Sequence, residues 1–123
     1  MEHKNTILIV DDNPSIRTFL KVPLQSKFNI IQAASAEEAI DMYMKKGPEL
    51  VILDLGLPDK DGFHVLEEVR KKDDTTKVII LTARDDNESR EKSKKLGANE
   101  YMTKPFRFSE ILDVIEGQLS APS

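Results

Sequence analysis

Cysteine is absent from this 123-residue chain, which excludes a disulfide framework and thiol chemistry and suits a reducing cytoplasm. An excess of positive charge is lacking too. Lys and Arg number 18 against 22 Asp and Glu, a net charge of −4. Contacts to nucleic-acid phosphates need a basic patch, so direct nucleic-acid binding by this chain is not expected. No apolar run approaches the ~20 residues that cross a bilayer, and charged residues follow Met1 at once. Neither a signal peptide nor a membrane span is expected. Internal repeats and low-complexity tracts are missing as well. What is present is 39% apolar and 33% charged residues, the composition of a soluble folded chain rather than a disordered one. The length fits one compact domain over residues 1–123. Ser120-Ala121-Pro122-Ser123 reads as the start of a linker from about position 120.

Three short runs are almost wholly apolar: Ile7-Val10, Leu50-Leu53 and Val78-Leu81. Runs this short, rich in Ile, Val and Leu and without alternation, predict strands buried on both faces. Ile30-Ala34 and Glu100-Thr103 are two weaker strand candidates. Helical stretches lie between them. Asn13 and Pro14 give an N-cap and first-turn signal, after which Ile16, Phe19, Leu20 and Leu24 fall on one face. Pro23 sits inside this helix and is expected to bend or loosen it, at a cost of about 3 kcal/mol in a helix interior. Ser35 to Glu38 is a capping box, followed by Ala39, Ile40 and Tyr43 at helical spacing. Phe63, Leu66 and Val69 mark a third helix. Glu88 to Leu96, ended by Gly97, is a fourth, and Ser109 to Leu119 a fifth. Strands alternating with helices five times imply a parallel sheet covered on both faces, an α/β fold of (βα)5 type.

The polar residues next to the strand ends carry the chemistry. Asp11 and Asp12 directly follow the first strand, Asp54 closes the third, Thr82 follows the fourth and Lys104 the fifth. In a parallel sheet all carboxyl ends share one edge, where ligands bind. Taken singly, each residue has an ordinary explanation as a cap, a turn residue or a solvated charge. Their joint placement at four of five strand ends favours a shared site. Three carboxylates brought together repel by ~4 kcal/mol per pair at ~4 Å and an effective dielectric near 20. One lysine leaves a deficit of about two charges, which a divalent cation would fill. All-oxygen ligands favour Mg²⁺ or Mn²⁺ over zinc, and Mg²⁺ binds few protein groups and prefers phosphate oxygens. A carboxylate, a metal, a lysine and a hydroxyl around an incoming phosphoryl group form a phosphoryl-transfer centre. His3, in an expected frayed terminus, and His64, on an expected exposed helix face, have no partner acid or metal-spaced histidine in the sequence. Gly62 reads as a turn residue.

The segments Ile7-Leu8-Ile9-Val10-Asp11-Asp12, Leu53-Asp54-Leu55-Gly56-Leu57-Pro58-Asp59-Lys60-Asp61-Gly62, Leu81-Thr82-Ala83-Arg84 and Tyr101-Met102-Thr103-Lys104-Pro105-Phe106 resemble the receiver domain of bacterial two-component response regulators. The likeness spans essentially the whole chain. It implies a CheY-like, flavodoxin-like fold with strand order 2-1-3-4-5. It also implies a role in a phosphorelay, in which Asp54 takes a phosphoryl group from a histidine kinase or histidine phosphotransfer protein. By the same likeness, Asp12, Asp54 and the Gly56 backbone carbonyl bind Mg²⁺, with Asp11 helping, partly through water. Lys104 pairs with phosphoryl oxygens, Thr82 hydrogen-bonds one of them, Tyr101 turns inward as the switch completes, and the Lys104–Pro105 peptide is cis. The surface of the fourth helix, fifth strand and fifth helix is then read by an output domain or downstream protein. The resemblance implies a cytoplasmic regulatory domain, monomeric or dimerising on phosphorylation. It is not a turnover enzyme, although it catalyses its own phosphoryl transfer and slow aspartyl-phosphate hydrolysis. Two positions depart from the family's pattern. Gly56 has no side chain to reach over the site, and Arg84 is long and cationic; in this family such positions tune phosphoryl lifetime. The fifth helix lacks the arginine often found in receivers that dimerise to drive DNA-binding domains.

Two other functions compete. A dehalogenase-type phosphohydrolase also uses an aspartyl nucleophile, but needs a second acid where Gly56 stands. A pseudo-receiver would not retain Asp11, Asp12, Asp54, Thr82 and Lys104 together. From Asp85 to Lys95 no strongly apolar residue occurs, and Asn87, Glu91 and Lys94 occupy the spacing where a packed helix shows apolar side chains. The fourth helix should therefore bury little and be the least stable of the five.

Overall fold

Strands that are apolar on both faces need cover on both sides. The computed structural model describes residues 3–120 and supplies that cover with five helices among the described residues. In chain order the elements are β1 Thr6–Val10, α1 Pro14–Leu24, β2 Asn29–Ala33, α2 Ala36–Lys46, β3 Leu50–Leu53, α3 Gly62–Lys72, β4 Lys77–Thr82, α4 Asn87–Lys95, β5 Glu100–Thr103 and α5 Phe108–Ser120. The strands form one parallel sheet in the order β2-β1-β3-β4-β5, as the receiver resemblance implies. Val10 lies beside both Ala33 and Leu53, and Thr82 beside Thr103, so the carboxyl ends share one edge. α5 runs to Ser120, and residues 121–123 of the expected linker lie outside the described residues.

The two faces of the sheet bury different rows. Leu8, Val10, Val51, Leu53, Val78 and Ile80 pack against α2 and α3 through Ala39, Tyr43, Phe63, Leu66 and Val69. Ile7, Ile9, Leu50, Ile52, Ile79 and Leu81 pack against α1 and α5 through Leu20, Leu24, Ile111 and Ile115. Each such side chain removed from water contributes about 1.5–3 kcal/mol, which fixes the register that brings the strand ends together.

The helices depart from expectation in a few places. Phe19 is 52% exposed and does not share the buried face of Leu20 and Leu24. It lies on the margin of α1, where its ring meets Phe106 and Phe108 edge-on at centroid distances of 5.8 and 6.3 Å, a favourable aromatic geometry outside the core. Pro23 falls in the last turn of α1, which ends at Leu24. The carbonyl it leaves without a partner is that of Phe19, and both residues are exposed, so solvent can satisfy it. In the α2 cap, Glu38 N–H donates to Ser35 Oγ at 3.1 Å, while Glu38 Oε1 accepts from Ala34 N–H at 2.7 Å, one residue before the cap. His64 is half-buried, and His3 meets an acid after all, Glu49 Oε2 at 3.3 Å on the surface. α4 buries only Ser89 and Ser93 along its length. Its inner row is therefore this serine pair one turn apart, while Asn87, Glu91 and Lys94 are exposed.

Candidate functional site

Asp11 continues β1 by one residue. Its N–H donates to Ala33 O at 3.1 Å, and the buried side chain is held from two directions. Oδ1 accepts from Asn13 N–H at 2.9 Å, and Oδ2 accepts from Lys104 Nζ at 2.7 Å. Asn13 is itself the N-cap of α1, accepting from Ser15 N–H at 2.9 Å. Asp12 stands exposed between them. Asp54 follows β3 in the same way, its N–H donating to Val10 O at 3.0 Å. Its Oδ1 accepts from Gly56 N–H at 3.1 Å and its Oδ2 from Lys104 Nζ at 3.0 Å. One ammonium thus bridges two buried carboxylates from strands on either side of a crossover. Burial pulls the Lys104 pKa down, but the hydrogen bonds to Asp11 and Asp54 outweigh it and hold the ammonium above the ordinary lysine range. Lys104 is positioned by its own backbone, whose N–H donates to Thr82 O at 2.8 Å. The peptide bond to Pro105 is cis.

Carboxylate oxygens of Asp11, Asp12 and Asp54 all lie within 4.8 Å of one another. They are hard donors with one lysine between them, a donor set that fits a hard divalent cation. Gly56 follows Asp54 by two residues and is exposed; a Cβ there would meet only Asp54 Oδ1, at 3.9 Å. The approach to the Asp54 carboxylate is open on that side.

Thr82 and Tyr101 stand in a second group beside this cluster. Thr82 is 1% exposed, and its Oγ1 lies 3.5 Å from Arg84 N, the limit of a hydrogen bond. Tyr101 is half-buried against the α2–α3 side of the core, with its hydroxyl donating to Arg84 O at 2.7 Å and Arg90 4.8 Å above its ring. Burial raises its phenol pKa. The strand ends therefore bring Asp11, Asp12, Asp54 and Lys104 into one cluster, while Arg84 connects Thr82 to Tyr101.

Three residues around the site escaped sequence reasoning, and a fourth, Gly62, does more than the turn residue it reads as. Arg17 Nη1 donates to Asp11 O at 2.6 Å and Nε to Gln32 Oε1 at 3.2 Å, pinning the β1–α1 turn. Asp59 accepts from Ala36 N–H at 2.8 Å and Glu37 N–H at 3.0 Å, tying the β3–α3 loop to the N-terminus of α2. Those two hydrogen bonds lower its pKa. Gly62 does not use a left-handed backbone; it is needed because a Cβ would fall 2.4 Å from Asp54 O and 2.6 Å from Leu55 Cα. Its N–H donates to Leu55 O at 2.8 Å, so the start of α3 is seated directly on the end of β3. Asp61 caps α3 and also meets Arg84 at 2.9 Å. Only the glycine had a signal, its place ahead of an apolar helix.

Comparison with known proteins agrees with this geometry. The sequence pattern of the response regulator receiver domain matches residues 7–116. The chain is 37% identical over 118 residues to the transcriptional regulatory protein TrcR of Mycobacterium tuberculosis, covering 95% of this chain and 46% of that protein. It spans about half the length of the curated relatives it matches. The non-phosphorylated HemR receiver domain from Leptospira biflexa superposes with a TM-score of 0.91 at 35% identity, covering 98% of each chain. A CheY-like response regulator receiver domain protein from Methanospirillum hungatei JF-1 gives a TM-score of 0.92 at 30% identity over 95% of this chain and 94% of its own.

Proposed function

The chain belongs to the response regulator receiver domain family, and from that premise we propose that Asp54 is its phosphoacceptor, with Lys104, Thr82 and a metal held by Asp11 and Asp12 completing the centre. The observation that carries this reading is Lys104 Nζ, shared at 2.7 and 3.0 Å between Asp11 and Asp54. A cation placed there can follow negative charge from the carboxylate to a phosphoryl group bonded to it. In the transfer, an Asp54 carboxylate oxygen attacks the phosphorus of a phosphohistidine on a histidine kinase or phosphotransfer protein. The P–O bond forms as the P–N bond breaks, and the imidazole leaves with a proton from solvent. Lys104 pairs with a phosphoryl oxygen and the Thr82 hydroxyl donates to another. The acids Asp11, Asp12 and Asp54, with the Gly56 carbonyl, suit Mg²⁺ or Mn²⁺, which supplies charge neutralisation at the phosphoryl oxygens. Slow hydrolysis of the aspartyl phosphate by water returns the domain to rest.

The output follows from the same edge. Thr82 moving toward the phosphoryl group carries Arg84 and Tyr101 with it, and the surface of α4, β5 and α5 changes for an output domain or downstream protein to read. Support comes from relatives about twice this length that are transcriptional regulators. A cytoplasmic setting accords with such partners. Acetyl phosphate with Mg²⁺ should add one labile phosphoryl group to the intact mass. Asp54→Asn should abolish it, and Lys104→Ala should leave the fold intact while impairing phosphorylation or the response to it. Equal labelling of Asp54→Asn would overturn the assignment.

A further inference from the structure

Arg84 carries a cation that the proposed transfer leaves unused. It stands two residues after Thr82, and its guanidinium turns back across the β3–α3 loop. Nη2 meets Asp61 Oδ2 at 2.9 Å and the Leu55 carbonyl oxygen at 3.4 Å, and the guanidinium carbon lies 6.0 Å from the Phe63 ring centroid. Leu55 is the residue next to Asp54, so Arg84 rests at the rim of the acceptor. An acid outside the Asp11, Asp12 and Asp54 cluster holds it there. Asp61 divides its two oxygens: Oδ1 accepts from Phe63 N–H at 3.1 Å and caps α3, while Oδ2 takes Arg84. The two side chains are 37% and 44% exposed, so water screens their attraction and the arginine can change partner at little cost.

The space beside it favours such a change. Gly56 brings no side chain over Asp54, and a Cβ at that position would touch nothing closer than Asp54 Oδ1 at 3.9 Å. A phosphoryl group has more charge and more acceptor oxygens than the Asp61 carboxylate, and a guanidinium fork matches its geometry. We propose that Asp61 and a phosphoryl group on Asp54 compete for the Arg84 guanidinium. Asp61 holds the cation at the rim in the resting domain, and phosphorylation draws it across the open Gly56 side. Because the Arg84 carbonyl accepts the Tyr101 hydroxyl at 2.7 Å, the residue that changes partner is also the one to which Tyr101 is tied. This inference rests on Asp54 being the phosphoacceptor.

Beryllofluoride with Mg²⁺, a tetrahedral phosphoryl mimic, tests it by titration. Asp61→Asn keeps the α3 cap, because Asn caps a helix as well as Asp, and removes the competing charge. It should bind beryllofluoride about three- to five-fold more tightly than the wild type, since removing the competitor releases only what an exposed ion pair holds. Asp61→Ser, another capping residue, should do the same. Adding Arg84→Ala to Asp61→Asn should erase the gain, and Arg84→Lys in that background should recover only part of it, since an ammonium lacks the fork. A helix-capping role alone would not produce this dependence on Arg84. Affinity of Asp61→Asn within about two-fold of wild type, the ordinary scatter of independent sites, would overturn the competition, as would a gain that survives Arg84→Ala. Failure of the wild type to bind beryllofluoride at all would instead overturn the phosphoacceptor reading beneath it.

Discussion

Replacing Ser93 by alanine should stabilise this protein, although it removes a polar group from the middle of a helix. Ser93 is 1% exposed on the inner face of α4, and its Oγ has no hydrogen-bond partner among the described residues. A buried hydroxyl left unpaired costs about 1–3 kcal/mol. Alanine also exceeds serine in helix propensity by roughly 0.5 kcal/mol. Against this, deleting one oxygen opens a void of about 10–15 Å³, which at ~24 cal/mol per Å³ costs ~0.3 kcal/mol. The net gain is about 1–3 kcal/mol, or roughly 3–10 °C in melting temperature for a chain of this size. Thermal unfolding followed by circular dichroism measures it. Amide exchange across residues 87–95 should slow in the same variant, locating the gain in α4. A variant that melts at or below the wild-type temperature would show that Ser93 is satisfied in solution and that α4 is not loosened by this residue.

Other perturbations test the packing and charge of the site. Gly62→Ala places a methyl group 2.4 Å from Asp54 O; it should destabilise the fold by about 1–3 kcal/mol and slow labelling by acetyl phosphate, and wild-type values of both would refute the close-packing explanation. Asp12→Asn should raise the melting temperature without metal by relieving like-charge repulsion within the cluster, while millimolar Mg²⁺ should stabilise the wild type more than the variant; equal Mg²⁺ shifts would count against Asp12 as a ligand. Asp73 contributes to the acid limb of stability. Burial would raise its pKa, but hydrogen bonds from the Tyr43 hydroxyl and from Thr76 and Thr75 hold the carboxyl well below the usual range. A depressed folded pKa stabilises above the unfolded value near ~3.9 and is lost as pH falls through the folded one. Denaturation midpoints should therefore drop below about pH 4 in the wild type and less steeply in Asp73→Asn. At the alkaline end, burial and Asp73 push the Tyr43 hydroxyl up to about 12, so Tyr43 stabilises below ~10 and loses its contribution as pH rises from there; Tyr43→Phe should remove that slope.

Much of the fold is legible because its decisive residues are local. The observed strands lie within one residue of the apolar runs, since unbroken Ile, Val and Leu segments leave little choice of period. Asn13, Ser35 and Gly97 mark helix ends because each acts on its own backbone: Asn13 and Ser35 as N-caps and Gly97 through a φ of +100°. The acidic cluster is legible for a topological reason, as a parallel sheet gathers whatever follows its strands. Phe19 misleads because periodicity cannot separate the face of a helix from its margin when a second aromatic group waits there. The inner row of α4 is invisible because a helix polar all round has no apolar stripe from which to read its phase. Asp59 and the Asp61–Arg84 pair join segments distant in sequence, and Arg17 reaches from α1 to the end of β1 and to β2; nothing in the spacing of polar residues on separate elements announces which will meet.

The two ends of α4 are held by different means, and this bears on how a signal at Asp54 could reach a surface. At the far end from the site, Arg70 of α3 donates through Nε and Nη2 to the Gly97 carbonyl at 3.0 and 2.8 Å, and Nη2 also reaches Asn99 Oδ1 at 3.0 Å. Asn99 Oδ1 accepts in turn from Val78 N–H at 2.8 Å, so this end is tied to both α3 and the sheet. A Cβ at Gly97 would lie 2.8 Å from Arg70 Nε, which closes the joint sterically. At the near end the helix has the exposed Asp86 cap, bonded to Ser89 N–H at 2.9 Å, and the shallow serine row behind it. Little apolar area resists displacement there, because helix stability in proteins comes mainly from the packed face. Thr82 and Arg84 thus precede in the chain the end of α4 that has the least apolar packing, while Arg70 and Asn99 close the other end.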